Sequence, residues 1–501
     1  MNHHKELPFA AYWRFYFYRN FHKCYPFFSE LKVIIIRSLI GFLILGFYTS
    51  CASPIKKEKK QDTNSQQEYA TAAFHPAEII TQVISSIDPS IKYALYLPAS
   101  YDAGKKSPLL IFFDAQARGS LPLELYKDVA ERFGYILIGS NNSKNGNPAD
   151  LTNKIISGLL QESIHRFSID TTRVYTSGFS GGGRVAVLSA IQNPIIKGVI
   201  GIAAGFPTEQ LLRSQFRYIG IVGKEDFNYL ELIKLNDQLS KNNFPHFLMI
   251  HNGKHDWCPK ENIQNSVEIF ESDAMRKKDI PVNHTLLSEI KSTHQKEAKK
   301  LISEKRFLDA KKHYLLILEC LKQNENTSDV IYEMTELEKN SNYATQYLEE
   351  IALQKEEEKL SGQYTGSIGQ DLQWWNAEVD KLNKMINVLP GSEKSYMLKR
   401  VLASISIRCY SYTQQLINTT ENEKTVYILT LYKLVDPENK DPWYFSAVLE
   451  ARNGQTESAV ESLLKAVKYG FSDRNRLLTE AAFQALQSNP KFNEVIAKIQ
   501  P

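Results

Sequence analysis

Seven short apolar runs separated by amphipathic stretches constrain this chain more than any other feature. They are Tyr93–Leu97, Leu109–Phe113, Tyr135–Ile138, Val174–Thr176, Val199–Ala203, Tyr218–Val222 and Phe247–Ile250. Runs this short and this continuously apolar predict strands buried on both faces, as in a parallel sheet. Between them, residues 125–133, 150–165 and 183–191 carry helical periodicity. Alternating β and α elements predict an α/β fold, a mostly parallel sheet with helices on both faces. Open sheets of this kind meet their ligands at the carboxyl ends of the strands. From about Lys277 the strand-like runs vanish and 3.6-residue periodicity takes over, predicting an all-α helical-repeat domain. A chain of 501 residues also exceeds what one hydrophobic core supports.

Between the fourth run and the helical stretch after it lies Gly178-Phe179-Ser180-Gly181-Gly182, a G-x-S-x-G in strand–turn–helix context. That context is the one a nucleophile elbow requires. Glycine on each side of the serine relieves the crowding of a sharp turn. The helix that follows points its positive end at Ser180, favouring negative charge there. The Gly181 N–H is thereby placed as an oxyanion donor.

The stretch from Ser168 to Gly182, SIDTTRVYTSGFSGG, resembles the poly(3-hydroxybutyrate) depolymerase and feruloyl-esterase branch of the α/β-hydrolases. Tyr96-Leu-Pro-Ala-Ser-Tyr101 and Pro108–Phe113 extend the resemblance, which covers about residues 78–270. It implies acyl transfer to water through an acyl-serine, without metal or cofactor. A serine hydroxyl needs an imidazole to take its proton, and the imidazole needs a carboxylate to fix its tautomer. In this fold the chain order is Ser, then Asp or Glu, then His. Gly223-Lys224-Glu225-Asp226 resembles the family's Gly-x-x-Asp loop and makes Asp226 the acid, with Glu225 its neighbouring rival. Gly253-Lys254-His255-Asp256-Trp257 matches the loop of the general base and makes it His255, with His251 the alternative. Trp257 either walls a substrate pocket or packs beneath the histidine loop.

One segment departs from the family. After the second run, relatives carry His-Gly, whereas this chain has Phe113-Asp114-Ala115-Gln116-Ala117-Arg118-Gly119. The second oxyanion donor is a backbone N–H, so Ala115 or Gln116 can still supply it. Asp114 either pins this loop or caps the strand; Arg118 either pairs with Asp114 or meets an acidic group of the substrate. The loop Asn141–Gly146 also follows a strand, as a sugar-binding edge or a plain turn.

Ahead of the sheet, residues 38–48 are apolar, flanked by Arg37 and by Thr49-Ser50-Cys51. A basic flank, a short apolar run and small residues before a cleavage point describe an export signal. The cysteine in that position resembles the lipobox of bacterial lipoproteins, which implies lipidation at Cys51 and cleavage before it. Tyr48 departs from the leucine usual there. The resulting division is a signal over 1–51, a polar tether over 52–68, the α/β-hydrolase domain over 69–276 and a tetratricopeptide-like helical domain over 277–501. The six basic and two acidic residues of 1–51 account for the whole net charge of +4. The neutral remainder offers no broad field for nucleic acid. Once Cys51 is lipidated, Cys258, Cys320 and Cys409 remain, an odd number with no close spacing, so the fold does not depend on disulfides.

In the helical part, Ala298, Phe307, Ala310 and Tyr314 hold the small and aromatic positions of one tetratricopeptide-like repeat. Trp443, Ala447, Gly454, Ala459, Leu463, Ala466 and Gly470 hold those of another. Such repeats stack into surfaces that bind a protein partner, or cap a neighbouring domain. Together these readings predict an esterase at the cell envelope, anchored in the membrane by lipid, acting on small or polysaccharide-linked acyl esters. A serine peptidase and a binding lipoprotein with a relic hydrolase domain are the alternatives.

Overall fold

The computed structural model describes residues 74–208 and 215–499. The expected export signal, tether and lipidated Cys51 lie outside these residues. Eight strands form one sheet: β1 (Ile79–Ile84), β2 (Lys92–Tyr96), β3 (Ser107–Phe113), β4 (Ile136–Ser140), β5 (Ile169–Phe179), β6 (Ile196–Ile202), β7 (Arg217–Gly223) and β8 (His246–His251). Their spatial order is β1-β2-β4-β3-β5-β6-β7-β8. β1 pairs antiparallel with β2, and β2 antiparallel with β4; every pairing from β4 to β8 is parallel. This is the α/β-hydrolase arrangement, with the antiparallel strands at one edge.

Each of the seven apolar runs falls within a strand to within one residue. β1 had no such run: its sequence is IITQVI, only Val83 is buried, and its pairing with β2 shifts register between Ile80 and Val83. An edge strand buries one face at most, so it leaves a weak apolar signature.

Helices α1 (Ser120–Phe133) and α5 (Lys260–Arg276) cover one face of the sheet. Helices α2 (Ala149–Arg166), α3 (Gly181–Gln192) and α4 (Tyr229–Lys241) cover the other. The first core does not stop at the sheet. From Phe112 and Tyr175 it runs through Phe270 of α5 into Leu287, Ala298, Ala310 and Tyr314. Those last residues belong to α6 (His284–Ser303) and α7 (Phe307–Leu321), a helical hairpin packed on α5. The periodicity change near Lys277 therefore separates elements that share one hydrophobic core.

The remaining helices are α8 (Ser328–Glu338), α9 (Ser341–Gly366), α10 (Leu372–Val388), α11 (Glu393–Leu416), α12 (Asn422–Val435), α13 (Lys440–Arg452), α14 (Thr456–Lys468), α15 (Arg474–Thr479) and α16 (Pro490–Lys498), with a 3-10 helix at Ala481–Leu486. Between α13 and α14, Ala447, Ala459, Leu463 and Ala466 are fully buried, the small residues permitting close helix approach. Gly454 and Gly470 end those two helices with φ of +73° and +94°, a conformation glycine adopts without penalty. Cys258, Cys320 and Cys409 are buried free thiols.

Candidate active site

The site is built where β5, β7 and β8 end. β5 runs without break to Phe179, and α3 starts at Gly181. Ser180 alone makes the turn, at φ 54° and ψ −121°. A non-glycine residue with positive φ is strained, and such strain is stored at functional positions. Neighbouring bonds hold it there: the Ser180 N–H donates to Ile202 O at 2.9 Å, and Ser180 O accepts from the Gly183 N–H at 3.0 Å. A side chain on Gly182 would collide with the Phe113 carbonyl, and one on Gly178 with the backbone of Gly182. The elbow can therefore be this tight only with glycine at both places.

His255 approaches from the loop after β8. Its Nε2 lies 3.0 Å from Ser180 Oγ, and its Nδ1 lies 3.0 Å from both carboxylate oxygens of Asp226. With Nδ1–H donated to the carboxylate, Nε2 is free to accept the serine proton. The Asp226 side chain is completely buried, and its Oδ1 also accepts the Asn228 N–H at 2.8 Å. The imidazole is 22% exposed, so one edge remains open to solvent or substrate. Phe179 and Phe227 flank it, their ring centroids 4.8 and 4.2 Å away. Phe227 was not singled out by its sequence; its only signal was its place next to Asp226.

The two rivals face elsewhere. Glu225 points away from the imidazole and pairs with Lys399 at 3.0 Å. His251 contacts the Asn252 carbonyl at 3.3 Å and lines a cavity of about 220 Å3 between the β8 edge and α6–α7. Burial holds it below the usual imidazole range.

The departure at Asp114 has a physical content. This carboxylate is buried, and Arg118 grips it through Nε to Oδ1 at 3.0 Å and Nη2 to Oδ2 at 2.9 Å. It also accepts the Gln116 N–H at 2.7 Å and the Trp257 indole N–H at 3.2 Å. Asp114 thus fastens the loop after β3 to the loop that carries His255. The Gln116 amide is occupied by this bond, so of the two candidate donors Ala115 is the one not given to Asp114. Trp257 is 8% exposed and packs against Phe112, Tyr126 and Phe179, as a support beneath the histidine loop. Arg118, tied to Asp114, keeps 43% of its side chain exposed.

From the loop after β4, the Asn145 carboxamide stands where a Gly181 side chain would begin. Its backbone N–H donates to Ala115 O at 2.8 Å. Asn145 is exposed, and through it the loop Asn141–Gly146 borders Ser180.

No protein-family model and no curated protein matches the sequence. Solved structures resemble part of it. One is the fluorophosphonate-binding serine hydrolase FphF of Staphylococcus aureus, 15% identical, covering 39% of this chain and 99% of that one at a TM-score of 0.33. A ferulic acid esterase is 16% identical over 38% of this chain and 94% of its own, also at 0.33. Est1E from Butyrivibrio proteoclasticus is 14% identical over 39% and 99%, at 0.32.

Proposed function

We propose that this protein is a serine hydrolase that cleaves carboxylic esters through an acyl-serine. The observation that carries this reading is the unbroken line Ser180 Oγ–His255 Nε2, His255 Nδ1–Asp226, each contact at 3.0 Å. In the first half-reaction Ser180 Oγ attacks the ester carbonyl carbon while its proton passes to His255 Nε2. The carbonyl oxygen becomes an oxyanion, met by the Gly181 N–H at the positive end of α3 and by the Ala115 N–H of the loop after β3. Collapse breaks the bond to the alcohol, which leaves with the proton from Nε2. Water then repeats the sequence on the acyl-serine and releases the acid. Asp226 holds the tautomer throughout and stabilises the imidazolium, with no metal required.

The substrate class is an acyl group on a small molecule or on a polysaccharide, reached at the cell envelope, with Cys51 carrying the lipid. Radiolabelled palmitate incorporation that is lost in Cys51→Ala tests the anchor. For the chemistry, we expect hydrolysis of p-nitrophenyl acyl esters by the wild-type protein and none above background by Ser180→Ala. Turnover of peptide p-nitroanilides instead of esters would move the reading to a peptidase. Absence of both would support a binding protein with a relic hydrolase domain.

A further inference from the structure

The loop that presents Asp226 is held from two sides. On the hydrolase side, the Lys224 N–H donates to His251 O and the Glu225 N–H to Gly253 O, both at 2.8 Å. A side chain on Gly223 would strike the Gly253 carbonyl, so the acid loop and the histidine loop lie in direct backbone contact. On the other side the partners come from the helical part. Arg400 of α11 donates Nη1–H to the Lys224 carbonyl at 2.5 Å. Lys399, next to it, pairs with Glu225. The Lys224 ammonium reaches Glu393 at 2.6 Å and Asp309 of α7 at 3.5 Å. Burial opposes the charge on Lys224, but Asp309 and Glu393 outweigh it and raise its pKa.

The Arg400 contact is the unusual one. Arg400 and Glu357 of α9 are 4% and 3% exposed, and they form a multiply bonded ion pair that also rests on the Tyr229 ring at 4.1 Å. Desolvating such a pair generally brings little net stability compared with apolar residues of the same size. What apolar residues cannot supply is a rigid donor aimed at a peptide carbonyl two residues before Asp226. The guanidinium is held by Glu357 on one side and directed at the acid loop on the other, which fixes its position within the fold.

We propose that Arg400 is a positioning residue: through the Lys224 carbonyl, the helical domain sets the placement of Asp226 against His255. This rests on the serine-hydrolase reading above. A positioning group acts on the chemical step, whereas simple adhesion between the two parts would act on stability alone. The test is steady-state ester hydrolysis, with thermal melting alongside, on the full chain. Arg400→Met combined with Glu357→Leu removes the donor without leaving a buried charge unpaired. We expect this variant to melt close to the wild type but to lose about tenfold or more in kcat at nearly unchanged KM, since sub-ångström misplacement of catalytic groups is felt in the chemical step. Arg400→Lys, which retains one donor, should recover part of the loss.

Wild-type kcat in the double variant would overturn the positioning role while leaving the hydrolase reading intact. Should that variant fail to fold, Arg400→Lys alone takes its place, since it keeps a positive charge beside Glu357 but gives up the fixed fork aimed at the Lys224 carbonyl. A several-fold fall in kcat at constant KM and melting temperature supports the proposal, and an unchanged kcat overturns it. A wild-type protein without ester turnover would overturn both.

Discussion

At the scale of single residues, the chemistry depends on a tautomer. Asp226→Asn preserves shape and burial but replaces an acceptor-only group with one that can donate, so Nδ1 of His255 no longer needs its proton. We expect kcat to fall by about 10^4-fold with folding retained, the scale known for this substitution in triads of this type. Circular dichroism alongside ester kinetics checks it. Asp114 makes a different prediction. Asp114→Asn keeps one acceptor oxygen but gives up the paired grip on Arg118, so it loosens the loop that carries Ala115 relative to the loop that carries His255. Kinetics should show a fall of about 10^2-fold in kcat, the size of a lost oxyanion donor. A rise in KM at unchanged kcat would instead mean that Asp114 acts on substrate binding.

At the scale of elements, one tight constraint is the approach of α3 to β3 beneath the elbow. Gly182→Ala must displace either the helix or the Phe113 carbonyl, and we expect a loss of about 1–3 kcal/mol in denaturant unfolding, as for an overpacked core. The α6–α7 hairpin predicts a pH effect. His313 is held down to about 4 by burial and by His294, whose Nδ1 lies 2.9 Å from its own; Glu297, Asp309 and Lys312 also act on it. A folded pKa below the unfolded value means the unfolded chain takes up the proton first. The stability it contributes is therefore complete above about pH 6.5 and is lost as pH falls toward 4. His313→Asn should flatten that part of the melting-temperature profile, and an unaltered profile would contradict the assignment.

Elements also show how far the sequence could be read. Six of the seven strands were legible because both of their faces are largely buried, β8 because its edge position still carries the apolar run Phe247–Ile250, and the elbow because its glycines are sterically required. β1 escaped because an edge strand needs little apolar surface. The second oxyanion loop was legible only as a departure: nothing in the order Phe113–Gly119 reveals that Trp257, far along the chain, would donate to Asp114. The same holds for Arg400. A contact spanning 176 residues, made to a backbone carbonyl, leaves no periodicity and no motif.

At the scale of the whole molecule, the helical part is continuous with the core of the α/β sheet through α5–α7 and contacts the Asp226 loop through α11. It is thus built into the domain that carries the triad, whatever else its surface meets. Removing residues beyond Lys277 would uncover the face of α5 that packs on α7 and withdraw every partner of Lys224 and Glu225 on that side. Such a truncated chain is expected to be insoluble or inactive, which expression of residues 69–276 checks directly.

All of this depends on Ser180 being chemically activated by the histidine 3.0 Å away. Peptide mass mapping after exposure to a fluorophosphonate measures that most directly. The predicted result is one adduct, at Ser180, near stoichiometric in the wild type, absent in Ser180→Ala and slowed severely in His255→Ala. A folded wild-type protein that remains unlabelled at Ser180 would contradict it.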